Sequence, residues 1–309
     1  MQSPWGEIDV CDAHVHFFSH GFFTALAGQV AKQSGTPATA ESIAGIPGWQ
    51  APPREPEELA SLWVKELDRH GVKRAALIAS VPGDAGSVAA AVAVHPDRFY
   101  GYFMVDPTAA DAPGRVQAGL EGGHLHCICL FPAMHRYSVQ DERVRHLLEI
   151  ASARSGTAVF VHCGVLTVGV RAKLGLSSPF DMRFSNPLDL HAVALAFPRI
   201  RFIVPHFGAG YFREALMLCD LCPNVYLDTS SSNSWMRYQA EGLDLPGVFR
   251  RAIGVAGAGR LLFGTDSSFF PRGWHASIFQ AQVEALQQIA VSDADARGIL
   301  GGNLERLLR

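Results

Sequence analysis

Residues 158–162 read AVFVH, four apolar residues that suit a short buried β-strand, followed at once by a histidine. The same unit returns as RFIVPH at 201–206 and as LLFGTD at 261–266. Each unit therefore ends in a residue that can ligate a metal ion. These three units belong to a longer alternation of short apolar strands and helices along the chain.

Eight short apolar segments predict strands, and most are separated by helical patterns such as EELASLWVKELDRHG, ERVRHLLEIASARSG and NPLDLHAVALAFP. The predicted strands cover residues 8–10, 75–79, 100–105, 127–130, 158–161, 202–204, 225–227 and 261–263. Eight such units over about 250 residues predict an α/β fold of the (β/α)8 TIM-barrel type. A doubly wound open sheet is the alternative, but polar residues follow six of the strands, and this spread favours a ring of loops around a barrel.

The chain is expected to form a single domain over residues 1–309. Residues 21–56 form a long Gly-, Pro-, Ala- and Thr-rich insertion after strand one, predicted to be a loop that acts as a lid or pocket wall. The tail VSDADARGILGGNLERLL is predicted to form one or two closing helices.

Composition excludes several classes of protein. The chain has 309 residues, of which 48% are hydrophobic and 18% charged, as in a well-packed enzyme. The net charge of -3 gives no basic footprint for nucleic acid, and no apolar run approaches the roughly 20 residues that span a membrane. No signal peptide is recognisable at the start, and the six cysteines favour free thiols, so we expect a cytoplasmic protein.

The sharpest chemical signal is the His14-x-His16 pair in VCDAHVHFF, residues 10–18. Two positions apart in an extended chain, both imidazoles point to one side, and we expect them just past the end of strand one. His162, His206 and Asp266 follow three other strands. Since the carboxyl ends of barrel strands converge on one mouth, these ligand-type residues are predicted to meet there. An isolated HxH would more often be two surface histidines.

These residues carry a resemblance to a known family. CDAHVHFF, FVHCG, VPHFGAGYF, LLFGTDSSFF and the terminal GGNLERLL resemble the amidohydrolase superfamily. More closely, they are similar to its amidohydrolase-related branch, which includes aminocarboxymuconate-semialdehyde decarboxylase. The resemblance runs from strand one to the last helix.

The resemblance implies that His14, His16, His162 and Asp266 bind a metal and that His206 orients or protonates the metal-bound water. Many superfamily members bridge two metals with a modified lysine at the end of strand four. The corresponding segment here, HCICLFP, has no lysine, so we predict one divalent ion. Three histidines and a carboxylate make Zn²⁺ the first choice, with Mn²⁺ as the alternative. His206 and Asp266 are the predicted acid/base residues.

Side chains around the predicted mouth suggest a small planar or cyclic substrate with a carboxylate, since arginine forks bind carboxylates well. The predicted substrate contacts are Phe17, His135, Arg136, Arg171, Arg213, Arg272 and Trp274, with Phe18, Lys173, Phe269 and Phe270 nearby. The small molecule is the only predicted partner apart from a second copy of the chain, since a homo-oligomer such as a dimer agrees with the resemblance.

Two reactions are compatible with these residues. The first is hydrolysis of an amide- or lactone-type C–N or C–O bond by metal-activated water, and the second is nonoxidative decarboxylation of an aromatic or enoic acid. A noncatalytic metal-binding barrel is a third hypothesis, against which the intact ligand set argues. Among weaker signals, the six cysteines are interpreted as mostly structural, although Cys163 could lie near the pocket. Gly208 and Gly210 suit either a tight loop or a phosphate site, and DTSSSNSW suits either a polar loop or substrate hydroxyls.

Overall fold

A computed structural model describes residues 1–230, 233–240 and 242–309. Its main sheet has eight strands, each parallel to its neighbour and arranged in the order of the chain. These strands are β1 Val10–Phe17, β2 Val72–Ala79, β3 Phe99–Val105, β4 Leu125–Leu130, β5 Ala158–Val161, β6 Arg201–Val204, β7 Val225–Asp228 and β8 Leu261–Leu262. A parallel bridge between Val15 and Ser267 brings the last strand back to the first. The sheet is therefore a nearly closed (β/α)8 barrel, as the sequence predicts.

Helices cover the outside of the barrel. The α-helices are His20–Ser34, Ala40–Gly45, Pro56–His70, Ala85–Val94, Ala112–Glu121, Pro132–His135, Glu142–Ser152, Gly169–Lys173, His191–Ala196, Phe212–Leu221, Leu245–Ala256, Ala276–Gln288, Asp293–Arg297 and Asn303–Leu307. Short 3₁₀ turns occupy Met182–Phe184, Pro187–Leu190, His206–Gly208, Asn233–Tyr238 and Ala258–Arg260, and a π-helical turn occupies Gly298–Gly302. Two-residue strands at Gln2–Ser3 and Gly6–Glu7 form an N-terminal hairpin.

The helix Pro56–His70 illustrates how local sequence fixes these elements. It begins with proline in its first turn, where the missing N–H costs nothing, and it ends at Gly71, whose φ of 69° closes the last turn. Its apolar stripe buries Trp63 and Leu67 against the barrel. Neither this helix nor any other described helix is both long and apolar enough to cross a bilayer.

Seven predicted strands match the structure to within three residues at either end, but the prediction for strand one is wrong. It was placed at 8–10, whereas β1 runs over Val10–Phe17. The missed part, CDAHVHF, has buried polar residues, because its inward side forms a polar site rather than an apolar core. Buried polar positions conceal the alternation by which half-buried strands are recognised.

Two apolar cores result from this arrangement. One lies between the strands and the helices, and the other fills the barrel interior with side chains such as Tyr102, Phe160 and Ile203. Cys127 and Cys129 point into the interior, as their alternation on strand four predicts. The barrel is thus packed below, and only its carboxyl-terminal mouth is available for chemistry.

The insertion at 21–56 is not the loop that was predicted. It contains most of the helix His20–Ser34 and the whole of Ala40–Gly45, and Pro56 already begins the next helix. Ser19 and Thr39 cap the two insertion helices through their hydroxyl oxygens. The abundance of glycine and proline in this insertion favours a loop. The segments between these helix-breaking residues are nevertheless capped and contain alanine, and they form helices.

Candidate metal centre

A β-bulge in β1 aims His14 and His16 into the mouth of the barrel. The pairing of β1 with β2 shifts register between Asp12 and Val15, so the inward and outward positions exchange there. Below the shift Cys11 faces the barrel interior, while above it Val15 and Phe17 pack in the outer core. The histidines therefore lie within the strand rather than past its end. Phe17 is fully buried on the outer face, which corrects the prediction that it contacts substrate.

Three side chains meet closely at this mouth. The Nε2 atoms of His14 and His16 lie 3.3 Å apart, and Oδ1 of Asp266 lies 3.2 Å from His16 Nε2 and 3.7 Å from His14 Nε2. These are the described residues whose donor atoms group tightly enough to hold one metal ion. The first and last strands of the barrel are neighbours, so residues 250 positions apart in the chain converge here.

The outer nitrogen of each imidazole is held by an acceptor. His14 Nδ1 donates to the Asp228 carboxylate at 2.6 Å. His16 Nδ1 donates to Ser80 Oγ at 2.7 Å, because the Ser80 hydroxyl proton is itself given to the Ile78 carbonyl. In the neutral imidazole only one nitrogen carries a proton, so each ring, when neutral, presents an unprotonated Nε2 to the centre.

This geometry fits a bound cation. Two nitrogen lone pairs and a carboxylate oxygen point at one another, an arrangement that is unfavourable unless positive charge lies among them. Imidazole nitrogen and carboxylate oxygen are also ligands that zinc and other divalent transition metals accept. The donor set therefore fits a divalent ion, held by His14, His16 and Asp266.

Burial tunes the charges of these groups. It opposes ionisation of Asp266, but His16 and His14 outweigh that effect and keep the pKa of Asp266 below its usual range. Burial lowers the pKa of His16, whereas for His14 the opposite effect of Asp228 prevails and the pKa is raised. The centre thus offers an ionised carboxylate, as metal ligation requires.

His206 and His162 lie beside this three-residue cluster. The ring centre of His206 lies 5.0 Å from that of His14 and 5.5 Å from that of His162. Burial, reinforced by the neighbouring histidines, lowers the pKa of both. His162 stands outside the three-residue cluster, so its role as a fourth ligand stays a prediction. Its Nδ1 is buried and has no hydrogen-bond partner among the described residues.

The two residues predicted to act as acid and base share a strained backbone. His206 has a φ of 53° and Asp266 a φ of 59°, both in the left-handed region that most side chains avoid. Such strain costs on the order of 1–3 kcal/mol per residue and persists where the surroundings impose it. In each case the chain turns in the segment that follows a short strand, which ends at Val204 before His206 and at Leu262 before Asp266.

Asp228 and Ser230 are site residues that the sequence analysis missed. Ser230 Oγ lies 3.0 Å from Nδ1 of both His14 and His206, and its amide donates to Asp228. His206 Nδ1 also approaches the Ser230 carbonyl at 3.2 Å, which leaves Nε2 as its free nitrogen. Asp228 ends strand seven, a position equivalent to those of the predicted ligands. This placement at a strand end is the sequence signal that could have revealed it. Ser231, Ser232 and the Asn233 side chain of the DTSSSNSW segment lie outside the described parts.

Replacing Asp228 with asparagine should weaken metal binding about 10- to 100-fold, because a carboxylate behind a ligating imidazole fixes its tautomer and raises its basicity. The measurement is a competition titration with a chromophoric chelator. Asp220→Asn, at an exposed helix position, is the matched control and should bind as the unchanged protein does. Equal affinity in the two variants would contradict the role of Asp228.

Most of the predicted substrate contacts have partners within the protein, and for Arg136, Arg171 and Arg213 contact with substrate stays a prediction. Trp274 is buried in the outer core and donates to Asp12 at 2.7 Å, so its predicted contact with substrate is corrected. Arg213 is 83% exposed and pairs with the adjacent Glu214. Arg136 donates to the Pro179 carbonyl, and Arg171 to Ser177 and Gln29. Arginine in a loop thus often satisfies nearby carbonyls rather than a ligand.

Arg272 and His135 remain as polar side chains that could meet a substrate. Arg272 donates to the Asp266 carbonyl at 3.2 Å and to Ser268 Oγ at 2.9 Å, and it lies over the Phe269 ring. The described residues offer its guanidinium no carboxylate partner within ion-pair distance. His135 is half-buried, with Nδ1 unpartnered among the described residues, and burial lowers its pKa. Both contacts stay predictions.

The weaker sequence signals have structural explanations. Cys163 packs in the outer core rather than near the pocket, and Cys219 and Cys222 are buried at the end of a helix. Gly208 has a φ of 85°, and an added Cβ would lie 2.8 Å from Cβ of Ala215. Two explanations were predicted for Gly208, a tight loop and a phosphate site. Tight loop geometry accounts for it.

Sequence comparison places the chain in a family. The amidohydrolase family profile matches residues 11–309, and the chain belongs to that family. A curated relative, Protein fluG from Emericella nidulans, is 32% identical over 87 residues, which cover 28% of this chain and 10% of fluG. The chain thus corresponds to a small part of that longer protein.

Solved structures share the barrel at low sequence identity. A 5-carboxyvanillate decarboxylase from Novosphingobium aromaticivorans, complexed with manganese, is 14% identical with a TM-score of 0.62, covering 100% of this chain and 99% of that one. An amidohydrolase from Burkholderia multivorans with bound zinc is 15% identical, with a TM-score of 0.62 and coverage of 97% and 99%. A protein assigned as a 2-pyrone-4,6-dicarboxylic acid hydrolase from Pseudomonas putida is 18% identical, with a TM-score of 0.61 and coverage of 98% of each chain.

Proposed function

We propose that this chain is a metal-dependent hydrolase that cleaves an amide- or lactone-type C–N or C–O bond of a small, carboxylate-bearing substrate. The observation that carries the proposal is the convergence of the Nε2 atoms of His14 and His16 and a carboxylate oxygen of Asp266 within 3.7 Å. The matched family supports it, and so do the hydrolase and the zinc-bound amidohydrolase that share the fold.

His14, His16 and Asp266 would hold one divalent ion, with His162 as a further ligand and zinc as the first choice over manganese. When bound, a divalent ion lowers the pKa of a water it carries to about 7. Asp266, which its histidine neighbours keep ionised, would be the proton acceptor at this site. Asp228 and Ser80 hold the two imidazoles in the tautomer that binding requires.

His206 moves the second proton. Its Nδ1 is engaged by the Ser230 carbonyl, so it exchanges protons at Nε2, and the lowered pKa keeps that nitrogen unprotonated at rest. It can take a proton as the tetrahedral intermediate forms and return it to the leaving nitrogen or oxygen. Arg272, at the rim beside Asp266, would bind the substrate carboxylate through the guanidinium edge that lacks a carboxylate partner.

His206→Asn should lower kcat about 10²- to 10⁴-fold while leaving metal content close to that of the unchanged protein, because it removes proton transfer without removing a primary ligand. Turnover of lactones and amides, together with metal analysis of the same samples, makes the test. His146→Asn, on an outer helix with its side chain 58% exposed, is the control. Unimpaired turnover by His206→Asn would refute its role.

Nonoxidative decarboxylation of an aromatic or enoic acid is the second candidate. The site has an apolar floor, where Phe160 lies 5.4 Å from His14 and Phe131 lies 5.4 Å from His162 between ring centres. Removing water from a carboxylate raises its ground-state free energy relative to neutral CO2. Release of CO2 from aromatic or enoic carboxylates, with no product from lactones and amides, would favour this reaction over hydrolysis.

A further inference from the structure

A third apolar core stands apart from the two cores of the barrel. It joins the insertion after β1 to the segment 168–176 after β5. Phe23, Leu26 and Ile43 of the insertion pack with Val170 and Leu176 of that segment. Two stretches more than 120 residues apart in sequence therefore share one apolar interior.

Hydrogen bonds tie the same two segments together. Arg171 Nη1 donates to Gln29 Oε1 at 2.5 Å, and Gln33 Nε2 donates to the Gly175 carbonyl at 2.9 Å. Arg171 also donates to the Ser177 carbonyl, which fixes its direction. The shared core and these bonds indicate that the segments hold together as one unit.

The position of this unit follows from barrel topology. In an eight-stranded barrel with strands in chain order, β1 and β5 lie on opposite sides. An insertion that leaves β1 and packs on a segment that follows β5 must therefore bridge the mouth. Phe18, at the start of the insertion, has its ring centre 5.6 Å from that of His16. His16 remains 20% exposed, so water still reaches the centre.

One aromatic stack joins the unit to the rim after β8. The Trp49 ring lies 3.9 Å from the Phe269 ring, with 14° between their planes. The Arg272 guanidinium lies 4.5 Å above Phe269, and Lys173 Nζ lies 5.5 Å from the Trp49 ring. The stack thus links the bridging unit to the loop that carries Asp266.

We propose that residues 20–49 and 168–176 form a two-segment lid over the metal centre, latched to the barrel rim by Trp49 on Phe269. The lid moves as one body because its two segments share a core and polar ties. Its opening breaks the aromatic stack, and closure covers the side of the mouth next to His16. The inference concerns motion, and its test needs neither metal nor turnover.

The experiment is hydrogen exchange of the full chain, read by mass spectrometry, for Trp49→Ala and Trp49→Phe. We expect Trp49→Ala to raise exchange in both segments about fivefold, because an aromatic stack of ordinary strength shifts an open–closed equilibrium by about that factor. The helices Glu142–Ser152 and Ala276–Gln288 should exchange unchanged. Trp49→Phe should restore most of the protection. Trp5→Ala, on the N-terminal hairpin, is the control for loss of a partly buried tryptophan.

Access to the mouth is measured by the rate at which diethyl pyrocarbonate modifies His16 after metal removal, relative to exposed His146 as an internal reference. Trp49→Ala should raise the His16 rate about fivefold, in step with exchange. A response in one segment alone would overturn the single-body lid. Unchanged exchange in both segments would overturn the latch. Faster exchange with an unchanged His16 rate would overturn the covering role.

Discussion

Asp266→Asn should reduce kcat/KM at least about 10³-fold and lower the bound metal content. The substitution removes the charged member of the candidate ligand set and, with it, the proposed proton acceptor. It also removes the negative charge beside His14 and His16, from whose Nε2 atoms Asp266 Oδ1 lies 3.7 and 3.2 Å. Loss of both roles together makes this the largest expected effect on activity.

Asparagine is the appropriate replacement because the backbone at Asp266 has a φ of 59°. Asparagine tolerates that left-handed region as aspartate does, whereas alanine would add strain and confuse folding with chemistry. Asp97→Asn, with a side chain 96% exposed, controls for loss of one carboxylate. The measurement combines turnover with metal analysis across matched protein concentrations. Full activity in metal-loaded Asp266→Asn would rule out the proposed mechanism.

The sequence predicts the barrel well where strands are apolar on both faces. Residues 158–161 are an instance, since the predicted and observed limits of β5 coincide. Such strands are buried by the helices outside and by the interior core, so composition alone marks them. The sequence does not predict the full length of β1, because Asp12, His14 and His16 interrupt its apolar pattern. A register shift in the middle of the strand also changes which residues face the barrel interior. A β-bulge depends on how a strand pairs with the neighbouring strand, and the order of apolar and polar residues along the chain does not contain that pairing.

The site was predictable as a set of strand-end ligands but not as a network. His14, His16 and Asp266 were found because each is a strong ligand near the end of a strand. Asp228 was missed because it contacts one histidine of the candidate centre from behind, and this contact, 2.6 Å from its carboxylate to His14 Nδ1, forms only in the folded barrel. Phe17 and Trp274 were assigned to substrate because aromatic residues near a mouth suit both a pocket and a core.

Asp12→Ala should lower the free energy of unfolding by about 3–5 kcal/mol, the largest expected effect on stability. Its carboxylate accepts four hydrogen bonds, from the amides of His14 and Thr265, the Thr265 hydroxyl and the Trp274 indole. All four donors would be left buried, and each unsatisfied one costs about 1–3 kcal/mol before relaxation. Burial raises the pKa of Asp12 to about 6, although these donors oppose the rise.

The position of Asp12 explains why the barrel depends on it. β8 has only two residues paired with β7, and its return to β1 rests on one bridge and a few backbone bonds. Asp12 joins β1 to the residues that follow β8. Its loss therefore loosens the seam between the last and the first strand, where Asp266 is held. Urea unfolding followed by circular dichroism measures the effect. Asp9→Ala removes a carboxylate 75% exposed on the same strand approach and should change stability by less than about 0.5 kcal/mol. If the two variants unfold at the same urea concentration, the seam does not depend on Asp12.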